Sequence, residues 1–405
     1  MNRGIGWIFV ADECVFDTFP IVGVFFEAHR KVFAMGGSLF AGCLFSFFAV
    51  QSRGKFLCSV FFCYLCGMEA LLGKNIEELR VVAQAVGLPK FAATQLAEWI
   101  YKKGATSFEQ MTNISLAGRK ALAEHYTLGM SEPVSVAEST DGTKKYIFVV
   151  GGGLRIESAY IPDGDRATLC ISSQAGCKMG CKFCFTGRGG YHGDLTVAEI
   201  LNQICSLPER EKITNVVLMG MGEPLDNPDN VMRALEVMTS AWGFGWSPTR
   251  VTLSTVGVIP NLRRFLDESQ VHLAVSLHNP FSDQRKEIMP VEKAFPIRDV
   301  VALLKEYDFT HQRRVSFEYI VLKNTNDTPE HIKELCRLLD GLKCRINLIR
   351  FHAIPDSPYV SPDSEKMIRF RDTLTKKGIM TTIRASRGED IKAACGLLSG
   401  EAGRK

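Results

Sequence analysis

The chain has 405 residues, which corresponds to about two domains of ordinary size. Hydrophobic residues make up 46% of the sequence and charged residues 23%, so a disordered, collagen-like or coiled-coil protein is excluded. The 48 lysines and arginines face 44 acidic residues, which gives a formal net charge of only +4. Any nucleic-acid partner must therefore be bound by a local basic patch and not by bulk charge.

The first 67 residues differ from the rest of the chain. They contain five of the thirteen cysteines and a stretch of nineteen residues without a charge, Val32–Val50. That length just suffices for a membrane span. Three explanations compete: a membrane anchor, a genuine soluble extension, or a start codon placed too early. We favour the third, because Met68 opens an ordinary soluble helical sequence. Residues 1–67 are therefore expected to be a spurious or unstructured extension.

Residues 68–150 are expected to form a small helical accessory domain. From Ile76 to Tyr126 the apolar residues recur at helical spacing, and Tyr146–Val150 and Leu154–Tyr160 then predict a hairpin across three glycines. Four basic side chains are candidates for a phosphate-binding patch, namely Lys102, Lys103, Arg119 and Lys120. The alternative is that they belong to an ordinary solvated helical face.

After Pro162 short β-rich runs alternate with helical stretches. The runs predicted as strands are Thr168–Ser172, Asn215–Met219, Arg250–Ser254, His272–Ser276, Arg314–Ile320 and Arg345–Arg350. The stretches predicted as helices are Thr196–Cys205, Pro228–Thr239, Ile259–Glu268, Arg298–Tyr307 and Pro329–Leu339. This alternation is typical of an α/β fold with a parallel barrel or open barrel sheet. In such folds the reactive side chains lie on loops at the carboxyl ends of the strands.

Three cysteines lie within eight residues, just beyond the first predicted strand of the barrel. Cys177, Cys181 and Cys184 can bind three irons of a [4Fe–4S] cluster and leave the fourth iron open. The alternative is a structural zinc site, which usually has four ligands. No fourth ligand stands at a zinc-like spacing, although His192 follows eight residues later. The cysteine spacing therefore favours an iron–sulfur cluster.

The CxxxCxxC spacing, with an aromatic residue before the third cysteine, resembles the radical S-adenosylmethionine superfamily. Residues 68–405 as a whole resemble the bacterial dual-specificity rRNA and tRNA adenine-C2 methyltransferases, and residues 1–67 have no counterpart there. The segments that carry the resemblance are RATLCISSQAGCKMGCKFCFTG (166–187), MGMGEPLDN (219–227), LSTVGVIP (253–260), AVSLHNP (274–280), NLIRFHAIPDSPY (347–359) and RASRGEDIKAACGLLSG (384–400). The resemblance implies that residues 151–405 form a partial (β/α)6 radical S-adenosylmethionine barrel, preceded by the helical domain, which would bind RNA.

The resemblance also implies that loops at the strand ends bind S-adenosylmethionine. The implied contacts are Gly222, Glu223, Ser254, Ser276, Leu277, His278 and His352. A glycine lets the backbone approach a ligand closely, and Glu223 can accept hydrogen bonds from an ammonium group. The family often has asparagine where this chain has His352, and histidine can still donate or accept a hydrogen bond. Taken singly, each serine or histidine would be an ordinary loop residue.

Two further cysteines decide the reaction that the resemblance implies. Cys395 matches a methyl-accepting cysteine and Cys170 its resolving partner; without the resemblance, a lone cysteine among alanines is a buried small hydrophobe. In the implied route, Cys395 takes a methyl group from one S-adenosylmethionine. A 5′-deoxyadenosyl radical from a second S-adenosylmethionine then activates that methyl group, which adds to carbon 2 of adenine. Cys170 resolves the resulting protein–RNA link by forming a transient disulfide with Cys395.

Glu157 matches the carboxylate that accepts the carbon-2 proton in that family. On an apolar strand its pKa is expected to rise toward the working range. The alternative is a surface glutamate in the predicted hairpin.

The implied partners are 23S rRNA and tRNA, together with an electron donor such as flavodoxin. The chain is expected to act as a cytoplasmic monomer without stable membrane association. Basic residues near the predicted loops are candidates for phosphate contacts: Arg188, Arg285, Lys286, Arg313, Arg314, Arg350 and Arg387. Two alternatives stay open at this point. One is an adenosine-C8 rRNA methyltransferase that confers antibiotic resistance, and the other is a zinc-stabilised RNA-binding module without catalysis.

Overall fold

The computed structural model describes residues 46–52, 55–61, 68–310 and 313–398, with side chains from residue 68 onward. The chain divides into two compact units, Met1–Met68 and Glu69–Lys405. In the first unit, β1 (Ser46–Ser52) pairs antiparallel with β2 (Lys55–Phe61), so these two stretches are not unstructured. The remaining expectations for residues 1–67 lie outside the described residues. None of the helices that the structure describes has the length and apolar character needed to cross a bilayer.

The second unit begins with a helical part. Its helices are α1 (Ile76–Ala85), α2 (Ala92–Ala97) and α3 (Leu116–His125). Asn75 and Glu78 each accept the other's backbone N–H at the start of α1, a capping box that fixes where this helix begins. Two short strands, β3 (Glu69–Ala70) and β4 (Tyr126–Thr127), pair in parallel beside these helices.

The helical part packs against the rest of the unit. Tyr101 is fully buried, and its ring makes edge contacts with Trp242 and Phe244. Its carbonyl accepts a 2.6 Å hydrogen bond from Arg210. The buried apolar residues of the helices and of the sheet form one continuous hydrophobic core. We therefore treat Glu69–Lys405 as one body.

A ten-stranded mixed sheet forms the centre of this unit. In chain order its strands are β5 (Ser135–Glu138), β6 (Lys144–Val150), β7 (Leu154–Asp163), β8 (Arg166–Cys170), β11 (Asn215–Leu218), β12 (Val251–Thr255), β13 (His272–Ser276), β14 (Val315–Val321), β15 (Cys344–Arg350) and β16 (Met380–Ile383). The sheet order is β16-β15-β14-β13-β12-β11-β8-β7-β6-β5. Pairing is parallel from β16 to β8 and antiparallel from β8 to β5. A separate hairpin of β9 (Gln174–Gly176) and β10 (Tyr191–Asp194) follows β8.

Helices alternate in chain order with the strands of the parallel part. They are α4 (Phe185–Gly189), α5 (Val197–Cys205), α6 (Pro228–Thr239), α7 (Ile259–Glu268), α8 (Ser282–Ile288), α9 (Ile297–Leu304), α10 (Pro329–Leu338) and α11 (Ser364–Lys376). On β14, Val315 and Phe317 are buried in the core, whereas Ser316 lines the inside of the barrel. The period-two alternation of a strand thus produces an apolar outer face and a polar lumen.

The predicted α/β partial barrel is confirmed, and all six predicted strands are present. The structure adds a seventh parallel strand, β16, and an edge strand, β5, which the sequence did not indicate. The boundary expected at residue 150 lies in the turn between the paired strands β6 and β7. The barrel sheet therefore continues across that boundary into residues assigned to the helical domain.

Candidate active site

The three clustered cysteines lie on a loop between β9 and α4. Cys181 is buried, whereas Cys177 and Cys184 are half-buried. The backbone N–H of Cys177 donates to the Gly190 carbonyl (2.8 Å) and that of Cys184 to the Cys181 carbonyl (3.1 Å). Gly176 has φ +77°, and a Cβ there would lie 1.9 Å from the Gly190 oxygen, so only glycine fits. The loop is thus held at both ends.

The chemistry of these donors fits an iron–sulfur cluster. Burial, followed by the neighbouring thiols Cys184 and Cys177, raises the pKa of Cys181 well above its usual range. Thiols in such a site are ionised by binding a metal. Among the side chains that the structure describes, no three Cys, His, Asp or Glu converge on one metal ion. A [4Fe–4S] cluster binds each thiolate to a different iron and needs no such convergence, whereas a zinc ion does.

Cys170 and Cys395 line one cavity of about 550 Å³ in the barrel lumen, together with Cys184 and His352. Cys170 is half-buried at the end of β8. Cys395 is accessible from the cavity even though protein surrounds it, and burial raises the pKa of both thiols. Both are free thiols, and the described residues contain no disulfide.

The segment that carries Cys395 is hydrogen-bonded to the start of α4, next to the cysteine loop. The backbone N–H of Phe185 donates to the carbonyl of Gly396 (2.9 Å). The hydroxyl of Thr186 donates to the carbonyl of Leu398 (2.7 Å). These bonds hold Cys395 beside Cys184 across more than 200 residues of sequence.

The loop after β11 positions two of the predicted S-adenosylmethionine contacts. Gly222 has φ +100°, and a Cβ there would lie 2.5 Å from the Cβ of Gln174. Glu223 is buried and accepts hydrogen bonds from the Thr255 hydroxyl (2.6 Å) and the Val256 backbone (2.9 Å). Burial raises the pKa of Glu223 to about 7. The carboxylate therefore joins this loop to the end of β12.

Three comparisons with known proteins agree with this geometry. The family model of the radical SAM superfamily matches residues 171–339, and that of the ribosomal RNA large subunit methyltransferase N-terminal domain matches residues 70–128. A probable dual-specificity RNA methyltransferase RlmN of Bacteroides fragilis is 57% identical over 329 residues, which is 81% of this chain and 96% of that protein.

More distant relatives agree as well. The dual-specificity RNA methyltransferase RlmN of Syntrophus aciditrophicus is 41% identical over 81% of this chain and 95% of its own length. The crystal structure of a radical SAM methyltransferase from Sphaerobacter thermophilus matches with a TM-score of 0.78 and 37% identity. That match covers 82% of this chain and 100% of the solved one.

The chain belongs to the RlmN family of dual-specificity RNA methyltransferases. It is therefore an enzyme, a radical S-adenosylmethionine methyltransferase, and its superfamily implies a [4Fe–4S] cluster and S-adenosylmethionine. The sequence-based assignments to this family and fold are confirmed.

Several of the predicted RlmN-family site residues are packed in protein and do not line the cavity. The carbonyls of Ser276 and Leu277 accept hydrogen bonds from Arg285 (2.8 and 2.9 Å). His278 has φ +56°, and its ring packs edge-on against Phe183, with the centroids 4.7 Å apart. The residues that line the cavity do not include Glu157, Cys177, Cys181, Gly222, Glu223, Ser254, Ser276, Leu277 or His278.

Glu157 lies beside a lysine, and His352 lies beside a glutamate. Glu157 is 2% exposed, and its Oε2 lies 3.6 Å from the Nζ of Lys145. It is therefore not a surface residue, although the hairpin that carries it is present. His352 is buried with Nδ1 3.4 Å from Oε1 of Glu389.

Two of the predicted phosphate contacts are wrong. Arg285 is fully buried and pairs with the carboxylate of Glu292, so it cannot reach RNA. Arg313 is 7% exposed and donates to the Leu266 carbonyl (2.8 Å). A third candidate, Arg387, pairs with a surface aspartate. A sequence shows that a residue is charged but not that a buried partner neutralises it.

Sequence reasoning missed two charged residues of the lumen, Glu318 and Arg384. Their side chains form an ion pair in which only Glu318 is buried, and Arg384 lines the same cavity as both thiols. A signal was present in the alternating polar residues of β14, which place Ser316 and Glu318 on one face of a strand that is otherwise apolar.

Proposed function

We propose that this chain methylates carbon 2 of adenosine in 23S rRNA and in tRNA next to the anticodon, with Cys395 as the methyl carrier. The observation that carries the proposal is that Cys170 and Cys395 face the same cavity as Cys184. Membership of the RlmN family and the match of the rRNA methyltransferase N-terminal domain to residues 70–128 support it.

Cys177, Cys181 and Cys184 would hold the [4Fe–4S] cluster through three thiolates, with one iron free. S-adenosylmethionine would be bound by Gly222, Glu223, Ser254, Ser276, Leu277, His278 and His352. Two of its molecules would be consumed per methylation. When bound, the cluster supplies one electron to S-adenosylmethionine. A carboxylate can accept about four hydrogen bonds. Three protein donors already bond to Glu223, so one acceptor position is left for a ligand.

The protein's own thiols carry the methyl group and release the product. Cys395 loses a proton and its sulfur takes the methyl group as a thioether. That methyl group would first give one hydrogen atom to the radical that reduced S-adenosylmethionine supplies. Its carbon would then bond to carbon 2, whose own hydrogen leaves as a proton while one electron returns to the electron donor. Cys170 then attacks the sulfur of Cys395. A disulfide forms, the carbon–sulfur bond breaks, and the released carbon takes a proton to become the methyl group. Two thiols are needed because electron-poor carbon 2 cannot attack a sulfonium methyl group itself.

Glu157 is proposed to accept the proton from carbon 2. A general base must be negatively charged before it accepts a proton, and the Lys145 ammonium 3.6 Å away favours that charge.

The helical part, residues 68–150, would serve as an accessory RNA-binding domain. Lys102, Lys103 and Lys120 are exposed there, as phosphate contacts require. Arg119 donates to the carbonyl of Glu109 (2.7 Å). The target base would have to be unstacked to reach the lumen. An electron donor such as flavodoxin, a monomeric state and a cytoplasmic location complete the proposal.

The deciding experiment is an anaerobic assay of the iron-loaded chain with S-adenosylmethionine and protein-free 23S rRNA or tRNA, followed by mass mapping of the modified nucleotide. We expect 2-methyladenosine. The Cys395→Ala variant should yield none, and the Cys336→Ala control should match the wild type. Methylation at carbon 8 would instead assign the chain to the resistance methyltransferases, and an iron-free protein that binds RNA without methylating it would indicate a non-catalytic module.

A further inference from the structure

An ion pair between the half-buried Arg384 and the buried Glu318 lies beside the two thiols in the barrel lumen. Arg384 follows β16, and its Nε lies 3.2 Å from Oε2 of Glu318 on β14. A second contact, from Nη2 of Arg384 to Oε1 of Glu318, measures 3.3 Å. Asn347 on β15 donates to Oε1 of the same carboxylate (2.8 Å). The carboxylate that holds the guanidinium is therefore itself fixed from the neighbouring strand.

The buried carboxylate of Glu318 holds the guanidinium of Arg384 in place. It is 3% exposed, and it binds Arg384 through a hydrogen bond to Oε1 and through the charge of Oε2, which has no other hydrogen bond among the described residues. A buried carboxylate without a cation beside it is costly. Glu318 therefore strongly favours the position in which Arg384 points into the lumen.

Arg384 is directed at the thiols. Arg384, Cys170 and Cys395 line the same cavity. One nitrogen of Arg384, Nη1, lies 3.6 Å from the sulfur of Met219, which lines the same cavity. Met219 directly follows β11, the strand that pairs with β8 and places Val217 opposite Cys170.

The charged and titratable groups that face the thiols are few. Cys170 faces Cys395 and Arg384, while Cys395 also faces Glu318 and Cys184. Burial raises the pKa of Cys170 to about 12, and of these groups only the Arg384 guanidinium opposes that change by charge. A thiol must be a thiolate to attack a sulfur atom.

We propose that Arg384, held by Glu318, is a positioning residue that stabilises Cys170 as the thiolate that attacks Cys395. This inference rests on the proposed function of the two thiols. In the step concerned, the sulfur–sulfur bond forms while the carbon–sulfur bond to RNA breaks, and its electron pair stays on the carbon, which takes up a proton. A dithiol reductant then restores both cysteines. Arg384 donates no atom to this step.

The inference is tested on the full-length, iron-loaded chain, in which the cluster occupies its own cysteines. The protein is treated with iodoacetamide between pH 7 and 10, and alkylation of Cys170 is followed by peptide mass spectrometry. Since Arg384→Met leaves the Glu318 carboxylate unpaired, the main variant is Glu318→Gln with Arg384→Met, which removes both charges together. The conservative Arg384→Lys variant keeps the positive charge.

We expect Cys170 to be alkylated about tenfold more slowly in the double variant, corresponding to about one pKa unit, and at an intermediate rate in Arg384→Lys. The Arg345→Met control removes another guanidinium from the same cavity and should alkylate like the wild type. A wild-type rate of Cys170 alkylation in the double variant would overturn the inference, as would an equal slowing in Arg345→Met.

A second measurement separates this inference from the proposed function. In a single turnover with RNA, the double variant should accumulate a covalent protein–RNA adduct that decays more slowly than in the wild type. If alkylation slows as expected but no variant, including Cys170→Ala, forms an adduct, then the proposed function fails, and the alkylation result shows only that Arg384 stabilises the Cys170 thiolate.

Discussion

The backbone N–H of Ile320 donates a 2.9 Å hydrogen bond to Nδ1 of His278, which is 5% exposed. Nδ1 must therefore be an unprotonated acceptor, which leaves the ring neutral. Burial, followed by the positive charge of Arg285, lowers the pKa of His278 to about 3. The imidazole can be protonated in the folded protein only at the cost of this bond to β14.

This relationship predicts an acid-dependent loss of stability. In the unfolded chain a histidine has a pKa near 6.5, so between about pH 6.5 and 3 the unfolded state binds a proton that the folded state does not. The contribution of His278 to the free energy of unfolding is thus complete above pH 6.5 and decreases as the pH falls, by up to about 1.4 kcal/mol per pH unit.

The measurement is chemical denaturation of the wild type and of His278→Asn from pH 7 to pH 5. Asparagine tolerates the positive φ and can still accept the bond from Ile320, but it does not titrate. The stability of the wild type should therefore fall relative to that variant as the pH decreases. The exposed His192 provides the control substitution, His192→Asn, whose curve should stay parallel to the wild type. Parallel curves for His278→Asn would contradict the prediction.

The ion pair of Arg285 and Glu292 predicts a large loss of stability when it is broken. Both side chains are almost completely buried, and Arg285 also binds the carbonyls at the end of β13. Arg285→Leu should lower the free energy of unfolding by about 3–5 kcal/mol, because it leaves a carboxylate buried and unpaired. Arg264→Leu, which breaks an exposed pair with Asp229, should cost at most about 1 kcal/mol. Similar losses of stability in the two variants would contradict the prediction that breaking the buried ion pair costs more than breaking the exposed one.

Replacing one cysteine of the loop should prevent iron binding. In Cys181→Ala two thiolates remain, too few to hold the cluster firmly, so iron content, brown colour and RNA methylation should all be lost. The Cys336→Ala substitution lies on α10 and should leave iron loading unchanged. Full iron content in Cys181→Ala would exclude the cluster assignment.

The two cavity thiols should fail in different ways. Cys395→Ala loses the methyl carrier, so no RNA becomes attached. Cys170→Ala can still form the protein–RNA link but cannot resolve it, so a covalent adduct that survives denaturation should accumulate on gels. The double variant should show no adduct, since the attachment atom is gone. Turnover by Cys170→Ala at the wild-type rate would refute the mechanism.

Removing residues 1–67 should preserve the enzyme. Glu69–Lys405 forms a compact unit of its own, so a chain that begins at Met68 should load iron and methylate RNA like the full chain. Loss of iron loading or of methylation in the shortened chain would contradict this prediction.

The sequence predicted the elements whose patterns are strong. The helices Pro228–Thr239 and Ile259–Glu268 were predicted with the bounds that the structure has, because their apolar spacing and initial prolines are clear. The strand β16 was missed, since Met380–Ile383 has only 4 residues and is too short to show a clear alternation. β5 was missed because an exposed edge strand has little apolar alternation.

Pairings between distant side chains could not be predicted. Glu318 and Arg384 are 66 residues apart, and only the neighbouring positions of β14, β15 and β16 bring them together. Arg285 was taken for a phosphate ligand because its charge is visible in the sequence, whereas the burial that it shares with Glu292 is not. The position of Cys395 beside the cluster loop likewise came only from the resemblance to a family.

The hydrogen bonds between Thr186 and Leu398 and between Phe185 and Gly396 have a consequence for biogenesis. The start of α4 cannot acquire these partners until more than 200 further residues have been synthesised, and contacts so distant in sequence form slowly. During that interval the thiols of Cys177, Cys181 and Cys184 in the nascent chain lie beside a helix start that lacks its carboxyl-terminal contacts. They can then bind iron, but they can also be oxidised. Cells that make this enzyme in air should therefore yield less iron-loaded protein the more slowly the carboxyl-terminal half of the chain is translated.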